Sequence, residues 1–298
     1  MRQASVLLCS FGALVALISA LAAVPQPAGG APAQAARGGA QAGTWNREPE
    51  KDGWRVAIQF TNYNGDRLTA AFPVLRLDID QARAEFGYSK ADTDAILAAC
   101  RGKCDQAEFD RRIADYYHRR GVTVVQKDRV MHLSVDMPEL VKRNAPRVRA
   151  AAMEVERIAR ERHYDSGATI GAVLSLAQTG IPYFIPPVQE DGKEILGLYV
   201  PPQVLGNGQG DCDSKTGLVA SLLKNFSGAR MIGINVPQHY LMGVARVPQR
   251  GEAFIQYGGE PYVLLEAAGP AWLPPGSISD HSRAVLGTMQ DVRIDPFR

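Results

Sequence analysis

The chain has 298 residues, 46% of them hydrophobic, with 33 Lys+Arg against 31 Asp+Glu for a formal charge of +2. That is apolar material enough for one large or two modest domains, so a chain disordered throughout is excluded. No long block of like charge supplies the counterion release on which nucleic-acid affinity depends, which argues against a nucleic-acid partner.

In chain order, Arg2 precedes an apolar run from Val6 to Val24, and the next charge is Arg37. This is the layout of a secretory signal, with Ala20-Leu21-Ala22 as an A-x-A cleavage site, so residues 1–22 are expected to be a signal peptide. The run is nearly as long as the roughly 20 residues that span a bilayer, and a retained N-terminal anchor is the alternative. The expected location is the periplasm or the exterior, or else the inner membrane with the chain facing the periplasm. Cys9 follows Leu8, too large for the position before a lipidated cysteine, and reads as an apolar filler. Residues 23–44 are mostly Ala, Gly, Pro and Gln, a composition that cannot offset chain entropy by burial, and predict a disordered linker.

Residues 45–137 predict a small α+β domain. Trp54–Phe60 and Leu68–Val74 are strand-like runs around Asn62-Tyr63-Asn64-Gly65-Asp66, whose Asn-Gly pair suits a hairpin turn. Ser89 to about Arg119 carries helical spacing broken at Arg101-Gly102-Lys103, which predicts two helices. Val122–Val125 and Val130–Val135 predict a second hairpin. Pro138 suits a first helical turn, and the Ala-, Arg- and Glu-rich stretch from there predicts one bridging helix over 138–165. Residues 166–298 are expected to form the catalytic domain, opening with a helix over about Ala168–Gln178.

After signal cleavage Cys100, Cys104 and Cys212 remain, and an odd count in an oxidising compartment leaves one thiol over. Cys100 and Cys104 enclose a short loop and are the disulfide candidate, with metal binding a poor second, so Cys212 is the free thiol. Cys212 lies where the glycine-rich Gly208-Gln209-Gly210-Asp211 runs into the apolar stretch Thr216–Leu223. At a helix N-terminus unpaired N–H groups and the dipole favour thiolate, while Asp211 and Asp213 oppose that shift.

A thiolate nucleophile needs a base that also protonates the leaving group. Of the histidines, His118, His132, His163 and His281 sit beside charges or in the N-terminal region, whereas His239 opens the apolar strand-like run Tyr240–Val247. Glu266, inside Tyr262–Ala268, would be costly to bury alone and suits the acceptor on the far side of the imidazole; Glu260, in a turn, is the rival acid.

The ordered set of a Gly-Asp-Cys-Asp-x-Lys helix start at 210–215, a histidine opening the next strand and an acid in the strand after it resembles the bacterial transglutaminase-like domains of the papain-related superfamily. Leu176–Tyr183 and Pro201–Gly208 also resemble segments that precede the cysteine there, so the resemblance covers about residues 166–275. It implies an α+β fold, with a cysteine-bearing helix packed on an antiparallel sheet that carries His and acid. It makes Cys212 the nucleophile, His239 the base and acid, and Glu266 the orienting acid, where many members carry Asp. The backbone N–H of Cys212 and the amide of Gln178 are the candidate oxyanion donors. The implied activity is that of a cysteine peptidase or amidase without cofactor or metal, acting on peptides, proteins or cell-wall peptide. Amine transfer and a non-catalytic envelope binding module are the alternatives.

Overall fold

The computed structural model describes residues 43–127, 130–269 and 272–297, so the expected signal peptide and nearly all of the expected linker lie outside the described residues. The chain is a mixed α+β protein whose sheets are antiparallel. Among the described residues no helix is long and apolar enough to cross a membrane.

Strands β1 (Thr44–Glu50), β2 (Gly53–Thr61) and β3 (Arg67–Leu75) form a three-stranded meander in that order. Alternation along β2 and β3 sends Val56, Ile58 and Phe60, and Leu68, Ala70, Phe72 and Val74, to one buried face. The predicted hairpin is there, and β1 is an added edge strand. Helix α1 (Arg76–Glu85) follows without a side-chain cap and buries only Ile79 and Ala82.

The two predicted helices are α2 (Lys90–Cys100) and α3 (Gln106–Arg119), capped by Ser89 and Asp105, whose side chains accept from Asp92 N and Glu108 N. Cys100 and Cys104 bring their sulfurs to 2.22 Å, a disulfide pair across the loop between them. Strands β4 (Val122–Lys127) and β5 (Val130–Val135) pair as a hairpin.

The single bridging helix expected over 138–165 is instead two. Helix α4 (Met137–Asn144), capped by Asp136, is separated by a 3₁₀ turn at Pro146–Val148 from α5 (Arg149–Glu161). Pro146 lacks the N–H that would continue the ladder and crowds the preceding turn. Helix α6 (Ser166–Ser175) runs into a π turn at Leu176–Gly180. Two short strands, β6 (Gln189–Glu190) and β7 (Lys193–Glu194), lead to α7 (Pro201–Asn207) and α8 (Cys212–Leu223).

Strands β8 (Met231–Val236), β9 (His239–Ala245), β10 (Phe254–Tyr257), β11 (Glu260–Leu265) and β12 (Arg293–Phe297) form a five-stranded sheet in the order β10-β11-β9-β8-β12. One face, with Met231, Tyr240, Met242 and Leu265, packs in the core that holds α8. The other, with Ile232, Ile234, Leu241 and Leu264, is covered by Ile278 and by α9 (Asp280–Thr288) through Val285 and Leu286.

A boundary near 137/138 is not visible in the packing. Val56, Ile58 and Phe72 of the N-terminal sheet belong to the same buried cluster as Val155, Leu174, Leu218 and Met242. The tie is also polar: the Trp45 indole donates to Leu205 O at 2.9 Å, and the Trp272 indole donates to Thr61 O at 3.1 Å.

Candidate active site

Helix α8 is set by its first residues. Asp211 caps it, its Oδ1 accepting from Ser214 N at 3.0 Å and Ser214 Oγ at 2.6 Å, and Ser214 Oγ in turn accepts from Tyr199 N at 3.0 Å. From Ser214 to Leu223 every residue is buried, so α8 is a central helix packed on all sides. Gly208 ends α7 in the left-handed region at φ +67°, and a Cβ there would lie 2.2 Å from the Trp45 ring. Cys212 is therefore presented at the first turn of a rigid helix, half-buried and unpaired.

Strand β9 runs alongside. Thr216 Oγ donates to Tyr240 O at 3.1 Å, and the Tyr240 N–H is directed at the Cys212 sulfur. That N–H belongs to the residue after His239, which brings the helix start and the imidazole to the same end of the sheet.

His239 Nε2 lies 2.9 Å from Glu266 Oε1, with both side chains almost shut off from solvent. The two atoms are at hydrogen-bond distance, but the ring N–H is not aligned on the carboxylate. Glu266 is the fixed partner. Its Oε2 accepts Ser279 N at 2.7 Å and the Ser282 hydroxyl at 3.2 Å, at the N-terminus of α9. Burial works to raise the Glu266 pKa, but His239 and the Ser279 donors outweigh it and hold the carboxyl below its usual range.

The thiol is in the opposite situation. Burial pushes the Cys212 pKa well up, the Asp213 and Asp211 charges add to that, and the Tyr240 N–H opposes it only in part. The Sγ–H donates to Asp213 Oδ1 at 3.2 Å. The activating effect expected of the helix N-terminus is thus overridden by two flanking carboxylates in a poorly solvated site, and the resting side chain is a thiol. Burial followed by the Asp213 charge also raises Asp211 to about 7. Tyr183 stands beside this cluster: burial, then Cys212 and the two acids, push its phenol up.

Gln178 does not offer an oxyanion donor in this arrangement. Its Nε2 donates to Glu266 O at 2.6 Å and Leu273 O at 3.0 Å, while its Oε1 accepts from the Tyr63 hydroxyl at 2.8 Å and Leu273 N at 3.0 Å. Both amide hydrogens are spent on carbonyls, so Gln178 acts as a knot holding the Glu266 segment. Lys215, fully buried one turn into α8, donates to Ile181 O and braces the same region. Burial pushes its pKa down to about 7 against the pull of Asp211.

The other histidines separate cleanly. His118, His163 and His281 are exposed, and His132 lines a cleft next to Asp213. The rival acid Glu260 pairs with Arg230 at the surface. Asp211, Cys212 and Asp213 bring a ligand atom each within 4.8 Å of one another, close enough to share a cation. They are three consecutive residues without an imidazole, and the sulfur is protonated, which is a poor donor set for zinc.

No family model, curated protein or solved structure matches the chain. The assignment of a role to this site therefore stands on its residues and their geometry. Two of those residues had no role in the sequence reading. Asp213 was visible there only as a charge opposing ionisation, because the direction of its side chain fixes whether it accepts the thiol proton. Ser279 carried no signal, since it lies in a loop 13 residues after the acid it supports.

Proposed function

We propose that the protein is an exported cysteine hydrolase, a peptidase or amidase built on a transglutaminase-like core, that works by acyl transfer through Cys212, His239 and Glu266. The observation that carries this is the buried 2.9 Å approach of Glu266 to His239 Nε2 at the strand end next to the Cys212 sulfur. With Nε2 facing the carboxylate, Nδ1 is the nitrogen left to handle the thiol proton.

The resting thiol makes the first step a general-base reaction. His239 takes the Sγ proton as the sulfur attacks the substrate carbonyl carbon, and the charge developing on the imidazole is stabilised by Glu266. The carbonyl oxygen becomes an oxyanion within reach of the Cys212 N–H, which has no intrahelical acceptor in the first turn. Collapse returns the proton from His239 to the leaving amine and leaves an S-acyl enzyme, which water, deprotonated by the same imidazole, hydrolyses to the acid and free thiol. Hydrolysis is favoured over amine transfer because water needs no acceptor site of its own. The Cys100–Cys104 pair favours an oxidising compartment, where peptide and cell-wall peptide substrates are within reach.

A second reading, a binding module with an idle triad, draws on the thiol kept protonated by Asp211 and Asp213. A library of peptides and muropeptides offered to the wild type and to Cys212→Ala separates the two. Cleavage or amine-linked products that vanish with Cys212→Ala support the enzyme, and equal binding by both chains without turnover supports the module.

A further inference from the structure

Asp213 faces two ways. One oxygen accepts the Cys212 thiol, and the residue also lines a cleft of about 340 Å³, within the range of small-ligand pockets. The far walls come from β5 (Leu133, Val135), the first residue of α4 (Met137) and the residues on either side of the β6–β7 pair (Val188, Leu196). These are apolar, and Val188 is exposed at the surface, so the cleft opens to solvent.

The cleft is lined by two acids, Glu194 and Asp213, beside Arg293 and His132. Arg293 lines it, but the guanidinium is held by Asp295, Nε to Oδ1 at 2.9 Å and Nη2 to Oδ2 at 3.1 Å, and Nη2 also reaches Ser134 Oγ at 3.3 Å. Among the described residues neither Glu194 nor Asp213 has a Lys or Arg at ion-pair distance, although Gln189 donates to Glu194 and the charges of His239 and Arg293 act on Asp213 from further off. Tyr88, which also lines the cleft, pairs with Glu194 backbone to backbone. An apolar wall together with two carboxylates that lack a Lys or Arg at ion-pair distance suits a group with a methylene stem and a positive head.

We infer that this cleft is a specificity pocket for a lysine-type side chain of a peptide lying across Cys212, with Leu133, Val135 and Leu196 along the stem and Glu194 and Asp213 at the ammonium. The inference takes the site at Cys212 as the proposed hydrolase centre, but its test does not need turnover. The ammonium would also offset the charge of Asp213 next to the sulfur, so that the occupied pocket eases loss of the thiol proton.

The full chain carrying Cys212→Ala is titrated into fluorescein-labelled alanine hexapeptides with one central lysine, norleucine or glutamate, and anisotropy is read. The lysine peptide is expected to bind at least about tenfold tighter than the norleucine peptide, and less so at 0.5 M salt. Glu194→Gln and Asp213→Asn, each with a wild-type melting curve, are expected to bring that ratio toward unity. Equal binding of lysine and norleucine, tighter binding of glutamate through Arg293, a ratio unmoved by both substitutions, or no binding overturns the pocket. Preferential binding of lysine with no cleavage of the same peptide by the wild type would leave the pocket standing and remove the hydrolase.

Discussion

Glu266, the residue after β11, meets His239 on the diagonal that the β9–β11 register projects past its last pair. The register sets Leu265 opposite Met242, so Glu266 follows opposite Leu241, and His239 lies two residues further along β9. Diagonal neighbours are about 7–8 Å apart against about 5 Å for direct ones, which is a reach for the longer carboxylate. Glu266→Asp is therefore expected to lose the 2.9 Å approach even though it keeps the charge. Its kcat/KM should fall at least about tenfold, toward that of Glu266→Gln, while His239→Ala falls by about 10²–10⁴-fold. An aspartate variant with undiminished kcat/KM would show that the diagonal contact is not what orients the imidazole.

Asp213 sets the state of the nucleophile. Because its charge, after burial, holds the Cys212 thiol up, Asp213→Asn should lower the pH at which the thiol ionises. Iodoacetamide labelling of Cys212, followed by intact mass against pH, should show slow reaction of the wild type below neutrality. The asparagine variant should have its profile displaced to lower pH. Coincident profiles would mean that burial alone governs the sulfur.

Lys215 makes stability depend on pH with a definite sign. In the unfolded chain it keeps its proton to about pH 10.4, and in the folded chain only to about 7. Between those values the unfolded state binds more protons, so stability should rise with pH across that window and be flat below it. Urea midpoints at pH 7, 8, 9 and 10 should climb more steeply for the wild type than for Lys215→Met. Parallel slopes would mean that the folded chain keeps Lys215 protonated throughout.

Gly269 is the point where Gln178 and Lys215 crowd the acid's segment. A Cβ there would stand 2.1 Å from Gln178 O and 3.2 Å from Lys215 Nζ. Gly269→Ala must shift the knot that holds the Glu266 backbone, and a cost of about 1–3 kcal/mol is expected from overpacking. Thermal melting measures the loss, and a fall in kcat beyond it would report the displaced carboxylate. A variant with wild-type melting and turnover would show that the knot yields without effect.

Cys212, His239 and Glu266 were legible because each is a chemically capable residue in an otherwise apolar run, where the cost of burying it demands a reason. The pairs of strands and helices in the first half were legible from period and turn residues. Less so was α1, which has no capping side chain and only a thin buried face. Strand β12 was hidden by Pro296, tolerated because β12 is an edge strand. Gln178 was a polar residue at a helix end whose partners, Glu266, Leu273 and Tyr63, come from segments far apart in the chain. Which carbonyl takes its hydrogens depends on tertiary packing that no local pattern records.

Val56, Ile58 and Phe72 lie in one buried cluster with Leu218 and Met242, and Tyr63 stacks on Trp272 with ring centroids 5.6 Å apart. Severing the chain between 75 and 137 would accordingly give two sticky fragments, each with a raw greasy face, instead of a free-standing nucleophile module. Variation at Val56, Ile58 or Phe72 would be felt in the core on which the cysteine-bearing helix is seated.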